Sequence, residues 1–282
     1  MRCEVITLFP DLILQVLGQS MLKRAQEKGL LRVRVRNLRD YTEDRHQVAD
    51  DTPYGGGAGM VMKAEPIFRA VDAVRHEYGE AGGGRSGQQS AASWRRSSEA
   101  EAAPGAVRLI VPSPQGRRFC QHVAEELRDE TRPLVFICGH YEGMDERVRL
   151  GLQPEEISIG DYVLTGGELP ALVLIDAAVR LIPGVLGDPD SAREDSFADS
   201  LLDYPQYTRP ADVRGLTVPD ILLSGNHEAI RLWRRKEALR NTYLKRPDLL
   251  QDRVLNEADR RLLDDIMREG AGRLSVKCGE EG

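Results

Sequence analysis

Three glycine-rich stretches carry the residues best suited to hold a ligand. They are Tyr-Gly-Gly-Gly-Ala-Gly-Met (54–60), Cys-Gly-His-Tyr-Glu-Gly-Met-Asp-Glu-Arg (138–147) and Ile-Gly-Asp-Tyr-Val-Leu-Thr-Gly-Gly-Glu (159–168). The second and third directly follow the apolar runs Leu134–Cys138 and Ile157–Ile159, which read as buried strands. Ligands of α/β sheets bind beyond the carboxyl ends of the strands. Glycine there lets the backbone approach a ligand and take a positive φ. A single loop of this kind could equally be a tight turn, but two of them closing successive strands point to a shared pocket. The loops offer few cationic side chains, so a flat, weakly charged ligand suits them better than a triphosphate. No glycine precedes Lys-Ser or Lys-Thr, and neither a His-Glu-x-x-His helix nor a Gly-x-Ser-x-Gly elbow is present. Phosphate-loop, zinc-protease and hydrolase chemistry are therefore not indicated.

Charge adds a second candidate surface. The formal net charge is −6, which disfavours polyanions on average. Between Arg231 and Arg246, however, Arg231, Arg234, Arg235, Lys236, Arg240, Lys245 and Arg246 face a single acid, Glu237. Such a stretch suits phosphate binding, and a solvated helix face would look the same. Cys3, Cys120, Cys138 and Cys278 are scattered, indicating neither a disulfide framework nor a zinc knuckle. No apolar run is long enough to span a bilayer, and the first residues read as a strand and not as a signal peptide. A cytoplasmic protein is the expectation.

The elements that must position these residues follow from periodicity. Cys3–Phe9 predicts a strand, and Pro10-Asp11 opens a helix carrying Leu12, Ile13, Val16 and Leu17. Leu31–Asn37 alternates and predicts a strand with one wet, arginine-bearing face. Helices are expected over Pro66–Tyr78, Arg117–Glu130 and Leu169–Ile182, with another strand at Val107–Val111. Alternating strands and helices imply an α/β domain with a mostly parallel sheet over residues 1–186. A linker at 187–199 and a small all-helical domain at 200–282 follow, the latter with helices at Asn226–Leu239 and Asn256–Glu269. Residues 79–106 are rich in Gly, Ser, Ala and Glu and read as a disordered insertion. Gly82, Gly84 and Gly87 there fit the G-x-G-x-x-G template, but no strand precedes them, so they predict no nucleotide site.

Six motifs together resemble one family. They are Tyr-Gly-Gly-Gly-Ala-Gly-Met (54–60), Gly-His-Tyr-Glu-Gly (139–143), Ile-Ser-Ile-Gly-Asp-Tyr-Val-Leu-Thr-Gly-Gly-Glu-Leu-Pro (157–170), Glu-Asp-Ser-Phe-Ala-Asp (194–199), Leu-Leu-Asp-Tyr-Pro-Gln-Tyr-Thr-Arg-Pro (201–210) and Leu-Ser-Gly-Asn-His-Glu (223–228). They resemble the bacterial tRNA (guanine-N1)-methyltransferases of the TrmD family, SPOUT class, over nearly the whole chain except 79–106. The resemblance implies a deep trefoil knot near the end of the α/β domain, where periodicity alone would give an ordinary doubly wound sheet. It implies transfer of a methyl group from S-adenosylmethionine to N1 of the guanosine just 3′ of the anticodon of tRNA.

By the same resemblance, the cofactor pocket comprises Pro114, Gly139, Tyr141, Glu142, Gly143, Ile159, Gly160, Asp161, Tyr162, Val163, Leu164, Gly166 and Gly167, with Asp203 at the cofactor's amino end. Asp195 corresponds to the general base and Arg180 to a catalytic arginine. Without the resemblance, Arg180 would read as an i,i+4 partner of Asp176 and Asp195 as a cap or solvated acid. Arg231, Arg234, Arg235 and Lys236 are the candidate RNA contacts. A homodimer with composite active sites is also implied, as is a possible Mg2+ requirement, for which the sequence offers no ligand cluster. Two other readings are weaker. Asp51-Thr52-Pro53-Tyr54 faintly resembles an amino-methyltransferase motif, but no glycine loop follows the first strand. A catalytically silent RNA-binding protein would not need both glycine loops and Asp195.

Overall fold

The computed structural model of the protein describes residues 1–80, 106–187, 195–251 and 253–277. It divides into two units, Met1–Gly187 and Asp188–Gly282. Most of the expected insertion at 79–106 and the first part of the expected linker at 187–199 lie outside the described residues, as does the Gly82–Gly87 template.

The first unit is built on a parallel sheet of β1 (Arg2–Thr7), β2 (Arg32–Asn37), β5 (Arg108–Arg118), β6 (Leu134–Ile137) and β7 (Glu155–Ser158), in the order β2-β1-β6-β5-β7. A two-stranded ladder of β3 (Asp50–Asp51) and β4 (Val61–Met62) lies outside it. Because side chains alternate along a strand, each strand feeds both faces of the sheet. Cys3, Val5, Leu134, Phe136, Ile110 and Ile157 pack with α1 (Pro10–Leu17), α2 (Ser20–Glu27), α4 (Gln121–Asp129) and α6 (Glu168–Val179). Ile6, Leu109, Val111, Val135 and Ile137 pack instead with α3 (Ala64–Glu80) and α5 (Glu146–Leu152). Covering both faces is what a parallel sheet requires, and it accounts for the unbroken apolar run of β6.

Several boundaries depart from expectation. The helix expected from Arg117 begins at Gln121, because Arg117 and Arg118 belong to β5 and pair with Ile157 and Ser158 of β7. Ile157 is paired twice, with Pro112 and with Arg117, so the chain meets β7 on both sides of the turn between them. Gly116 in that turn presses on the backbone of Glu156 and Ile157, where a Cβ would overlap. The expected wet face of β2 is exposed at Arg32 and Arg34 and covered only at Arg36. Glu4 of β1 is buried, and Arg36 donates to it at 2.7 Å while Tyr78 of α3 donates at 2.9 Å. Arg36 also binds Glu77, leaving its side chain 11% exposed. A buried carboxylate needs such partners, and this one draws Arg36, at the end of the arginine face, under α3. On α1, Ile13 and Leu17 are buried while Leu12, Leu14 and Val16 stay exposed.

The second unit packs α7 (His227–Lys245) against α8 (Glu257–Lys277) around Leu201, Leu239 and Ile266. Both helices start as the sequence indicates. Asn226 caps the first through Ala229 N–H at 3.2 Å, and Asn256 caps the second through Asp259 N–H at 2.8 Å. The all-helical expectation needs correction. β8 (Asp212–Val213) and β9 (Leu216–Thr217) form a hairpin whose turn residues Arg214 and Gly215 both have positive φ. That is the geometry of a two-residue hairpin turn, and the strands are too short to show period-2 alternation.

Candidate active site

The loops after β6 and β7 meet beyond the ends of those strands and line a cleft of about 320 Å³ with the turn of β5. The first loop is tightly turned. Gly143 N–H donates to the His140 carbonyl at 3.0 Å, with Tyr141 at φ +59°. A non-glycine residue in that region is uncommon and marks a loop held by its surroundings. The second loop crosses the first directly. Gly167 N–H donates to the Gly139 carbonyl at 2.7 Å, and His140 forms an antiparallel bridge with Gly166. At Gly167 a Cβ would stand 2.9 Å from Cys138 Cα and 3.0 Å from Gly139 N, so only glycine allows the crossing. Gly167→Ala should part the loops, weakening ligand binding about tenfold and lowering stability by about 1–3 kcal/mol. Calorimetric titration beside thermal unfolding measures both, and an alanine variant matching wild type in the two would contradict the crossing.

Of the thirteen pocket residues expected in the first unit, twelve line this cleft: Pro114, Gly139, Tyr141, Glu142, Gly143, Ile159, Gly160, Tyr162, Val163, Leu164, Gly166 and Gly167. Asp161 does not line it and faces solvent. The motif at 54–60 stays outside the cleft but braces it. Glu142 N–H donates to the Met60 carbonyl at 3.1 Å, and a Cβ on Gly59 would stand 2.5 Å from the Glu142 carboxylate. Tyr162, Val163 and Leu164 are exposed and form an apolar lip. Sequence reasoning missed Ser113, Gln115, Arg149 and Thr165 as lining residues. Arg149 is the one arginine in the lining, and Glu146 and Glu156 hold it at 3.2 Å each. The cleft thus reads ligands mainly through backbone groups and apolar contacts. Below it, burial and then the Glu168 carboxylate push the Cys138 thiol well above its ordinary pKa, so it stays protonated.

The remaining candidates lie elsewhere. Arg180 is the C-terminal cap of α6, outside the cleft lining. Twelve residues of helix separate it from Glu168, a rise of about 18 Å. Asp195 and Asp203 belong to the second unit. Asp195 opens a turn in which its carbonyl accepts from Ala198 N–H, and Asp203 accepts from Tyr204 N–H at 2.6 Å. Among the described residues, no group of three or more His, Cys, Asp or Glu is placed to hold a metal ion, and no helix is long and apolar enough to cross a membrane.

The basic stretch is mostly paired. Arg235 grips Asp259 with two hydrogen bonds at 2.8 and 2.6 Å and reaches Asp199 at 2.7 Å. Burial raises the Asp199 pKa, but Arg235 and Arg253 outweigh it and hold the carboxyl below its usual range. Lys236 binds Glu269 at 2.7 Å and Arg231 binds Glu228. Arg234 lies 4.8 Å over the Tyr204 ring. Arg235 and Lys236 therefore tie α7 to α8. Arg235→Ala should destabilise the second unit by about 1–3 kcal/mol, since Asp259 is nearly buried and loses its partner. Urea unfolding followed by Trp233 fluorescence tests this, and an unchanged midpoint would mean the pair contributes nothing.

The family model described as tRNA (Guanine-1)-methyltransferase TrmD matches residues 1–252. The chain is 52% identical over 269 residues to the tRNA (guanine-N(1)-)-methyltransferase of Dictyoglomus turgidum, covering 95% of this chain and 98% of that one. It is 53% identical over 268 residues to the protein of the same name from Moorella thermoacetica, with 95% and 97% covered. The corresponding Bacillus cereus protein is 51% identical over 269 residues, with 95% and 100% covered. With half of all positions identical over almost its full length, and with the crossed glycine loops in place, the chain belongs to the TrmD family of tRNA (guanine-1)-methyltransferases.

Proposed function

We propose that this protein methylates N1 of the guanosine immediately 3′ of the anticodon, position 37 of tRNA, with S-adenosylmethionine as donor, in the cytoplasm. The crossing of two glycine loops at the carboxyl end of the sheet carries this reading, because it builds a backbone-lined cleft of the right chemistry for an adenosine. A Cβ on Gly139 would meet only the flexible end of Met144, at 3.4 Å, which leaves room beside the loop for a bound ring. Isotope-labelled methyl transfer to a tRNA transcript, followed by nucleoside mapping, tests the assignment. Label on any atom other than N1 of that guanosine would overturn it.

When bound, S-adenosylmethionine supplies an electrophilic methyl on its sulfonium. Guanine N1 carries a proton at neutral pH, and Asp195 accepts it as general base. Arg180 stabilises the negative charge that develops toward guanine O6. The cleft residues orient the donor, Asp203 meets its amino end, and Tyr162, Val163 and Leu164 exclude water beside the reacting atoms. A Mg2+ requirement, which the family resemblance implies, is used by none of these steps.

These groups do not converge within the first unit, since Arg180 stands about 18 Å along α6 from the cleft end. A homodimer with composite sites would bring them together, one chain providing the cleft and its partner Arg180 and Asp195. Leu12, Leu14 and Val16 of α1 and Leu169 and Val173 of the adjacent α6 expose apolar side chains, which suits a two-fold interface. Leu14→Glu together with Val173→Glu should yield monomers in sedimentation and abolish methyl transfer; an active dimer would place the interface elsewhere. A trefoil knot closing the first unit agrees with the double pairing of Ile157 and the crossed loops. In the second unit, read as the tRNA-binding domain, Arg231 and Arg234 are the better phosphate contacts, with Arg235 and Lys236 setting the helix geometry behind them.

A further inference from the structure

At the floor of the cleft, which His140 helps to line, lies a set of polar groups that none of these steps uses. Glu168, in the first turn of α6, is 3% exposed. One of its carboxylate oxygens, Oε1, accepts from Thr7 Oγ1 at 2.7 Å, and Thr7 Oγ1 itself accepts from Phe9 N–H at 2.9 Å. The other, Oε2, points to His140 Nδ1 across 3.9 Å. That nitrogen is buried with no hydrogen-bond partner. A buried polar atom left unpaired destabilises the fold, because it has given up water and gained no partner. Around it, the His140 ring packs against Phe9 at 4.6 Å and edge-on to Tyr141 at 4.8 Å, and His140 N–H points to Met62 Sδ at 3.1 Å. Gly166 closes the remaining side, since a Cβ there would overlap both Glu168 Oε2 and His140 Nδ1.

We propose that His140 is a positioning residue for the methyl donor, acting as a latch: its Nδ1–H donates to Glu168 Oε2 and fixes the register of the two crossing glycine loops. A movement of about 1 Å turns the present gap into a hydrogen bond. His140 sits in the first loop, beside Gly139 and Tyr141, and Glu168 directly follows Gly166 and Gly167 in the second. Their bond therefore ties together the two segments whose backbone groups face the ligand, while Thr7 anchors Glu168 to the end of β1. The role rests on the reading of this cleft as the donor site. It predicts an effect on donor affinity and little effect on turnover once the donor is saturating.

The experiment uses the full chain with S-adenosylhomocysteine as calorimetric probe and two substitutions of one residue. His140→Asn places an amide N–H where Nδ1 was, and His140→Gln places it where Nε2 was. The Asn variant should bind within about threefold of wild type and the Gln variant about tenfold more weakly, with equal unfolding temperatures and with kcat at saturating donor preserved in both. Equal binding by the two variants, or a kcat loss without an affinity loss, overturns the latch. If either variant fails to fold, nitrogen-15 NMR of the wild-type protein decides, because the latch requires a proton on Nδ1 in the bound state and a bare Nδ1 refutes it. Wild-type protein that does not bind the probe at all would instead remove the donor-cleft reading itself.

Discussion

Asp195→Ala is expected to lose about 10²- to 10⁴-fold in methyl transfer while binding S-adenosylhomocysteine as wild type does, the range typical for removal of a general base. Asp195 belongs to the second unit and is not one of the cleft-lining residues, so its truncation leaves the cleft lining itself unchanged. The loss should appear in kcat under saturating donor and tRNA, with KM for the donor unchanged. Single-turnover assays give the chemical step directly. A variant with wild-type single-turnover rate would eliminate Asp195 as base, and one that loses donor affinity equally would make it a binding group.

Mixing two inactive proteins should restore activity. Gly139→Val keeps an ordinary φ, and its added methyls project where only Met144 stands near, so it should fold with the cleft blocked. Asp195→Ala should fold with the cleft open and the base gone. Reassortment of equal amounts makes roughly half of the dimers mixed, and each mixed dimer then has one intact composite site in two. Activity should rise from near zero to about one quarter of wild type. With cleft and base drawn from the same chain, every site would carry one lesion and the mixture would stay inactive despite verified exchange.

Much of the cleft was legible because its information is local. Glycine clusters after apolar runs announce loops at strand ends, and twelve of the thirteen residues assigned to them by family resemblance line one cavity. What escaped the sequence was set by distant partners. Arg117 and Arg118 look like the opening of an amphipathic helix, yet pairing with Ile157 and Ser158 makes them strand. Helix α5 is only seven residues and lies under a glycine motif, so its period is hidden, although Asp145 caps it through Arg147 N–H at 2.9 Å. The hairpin at Arg214-Gly215 escaped because its strands are two residues each and Arg-Gly is not one of the strong hairpin pairs. The basic stretch misled differently. Its arginines were countable, but the acids that pair them, Asp199, Asp259 and Glu269, lie on other segments. Arg149 and Ser113 entered the cleft through chain crossings that no local pattern encodes.

The strand order has a consequence for how the chain is made. β1 lies between β2 and β6, so one of its edges is satisfied after residue 37 has emerged and the other only after residue 137. At about 5–20 residues per second, the intervening stretch takes about 5–20 s to synthesise. Throughout that interval an apolar strand, Cys3 to Ile6, presents an open hydrogen-bonding edge to other nascent chains. The far side of the sheet is later still, since β7 must be complete before the end of β5 can find its place. Translation speed over residues 38–133 should therefore govern how much of the protein reaches its native state, and slower codons there would lengthen the exposure during which aggregation competes with folding.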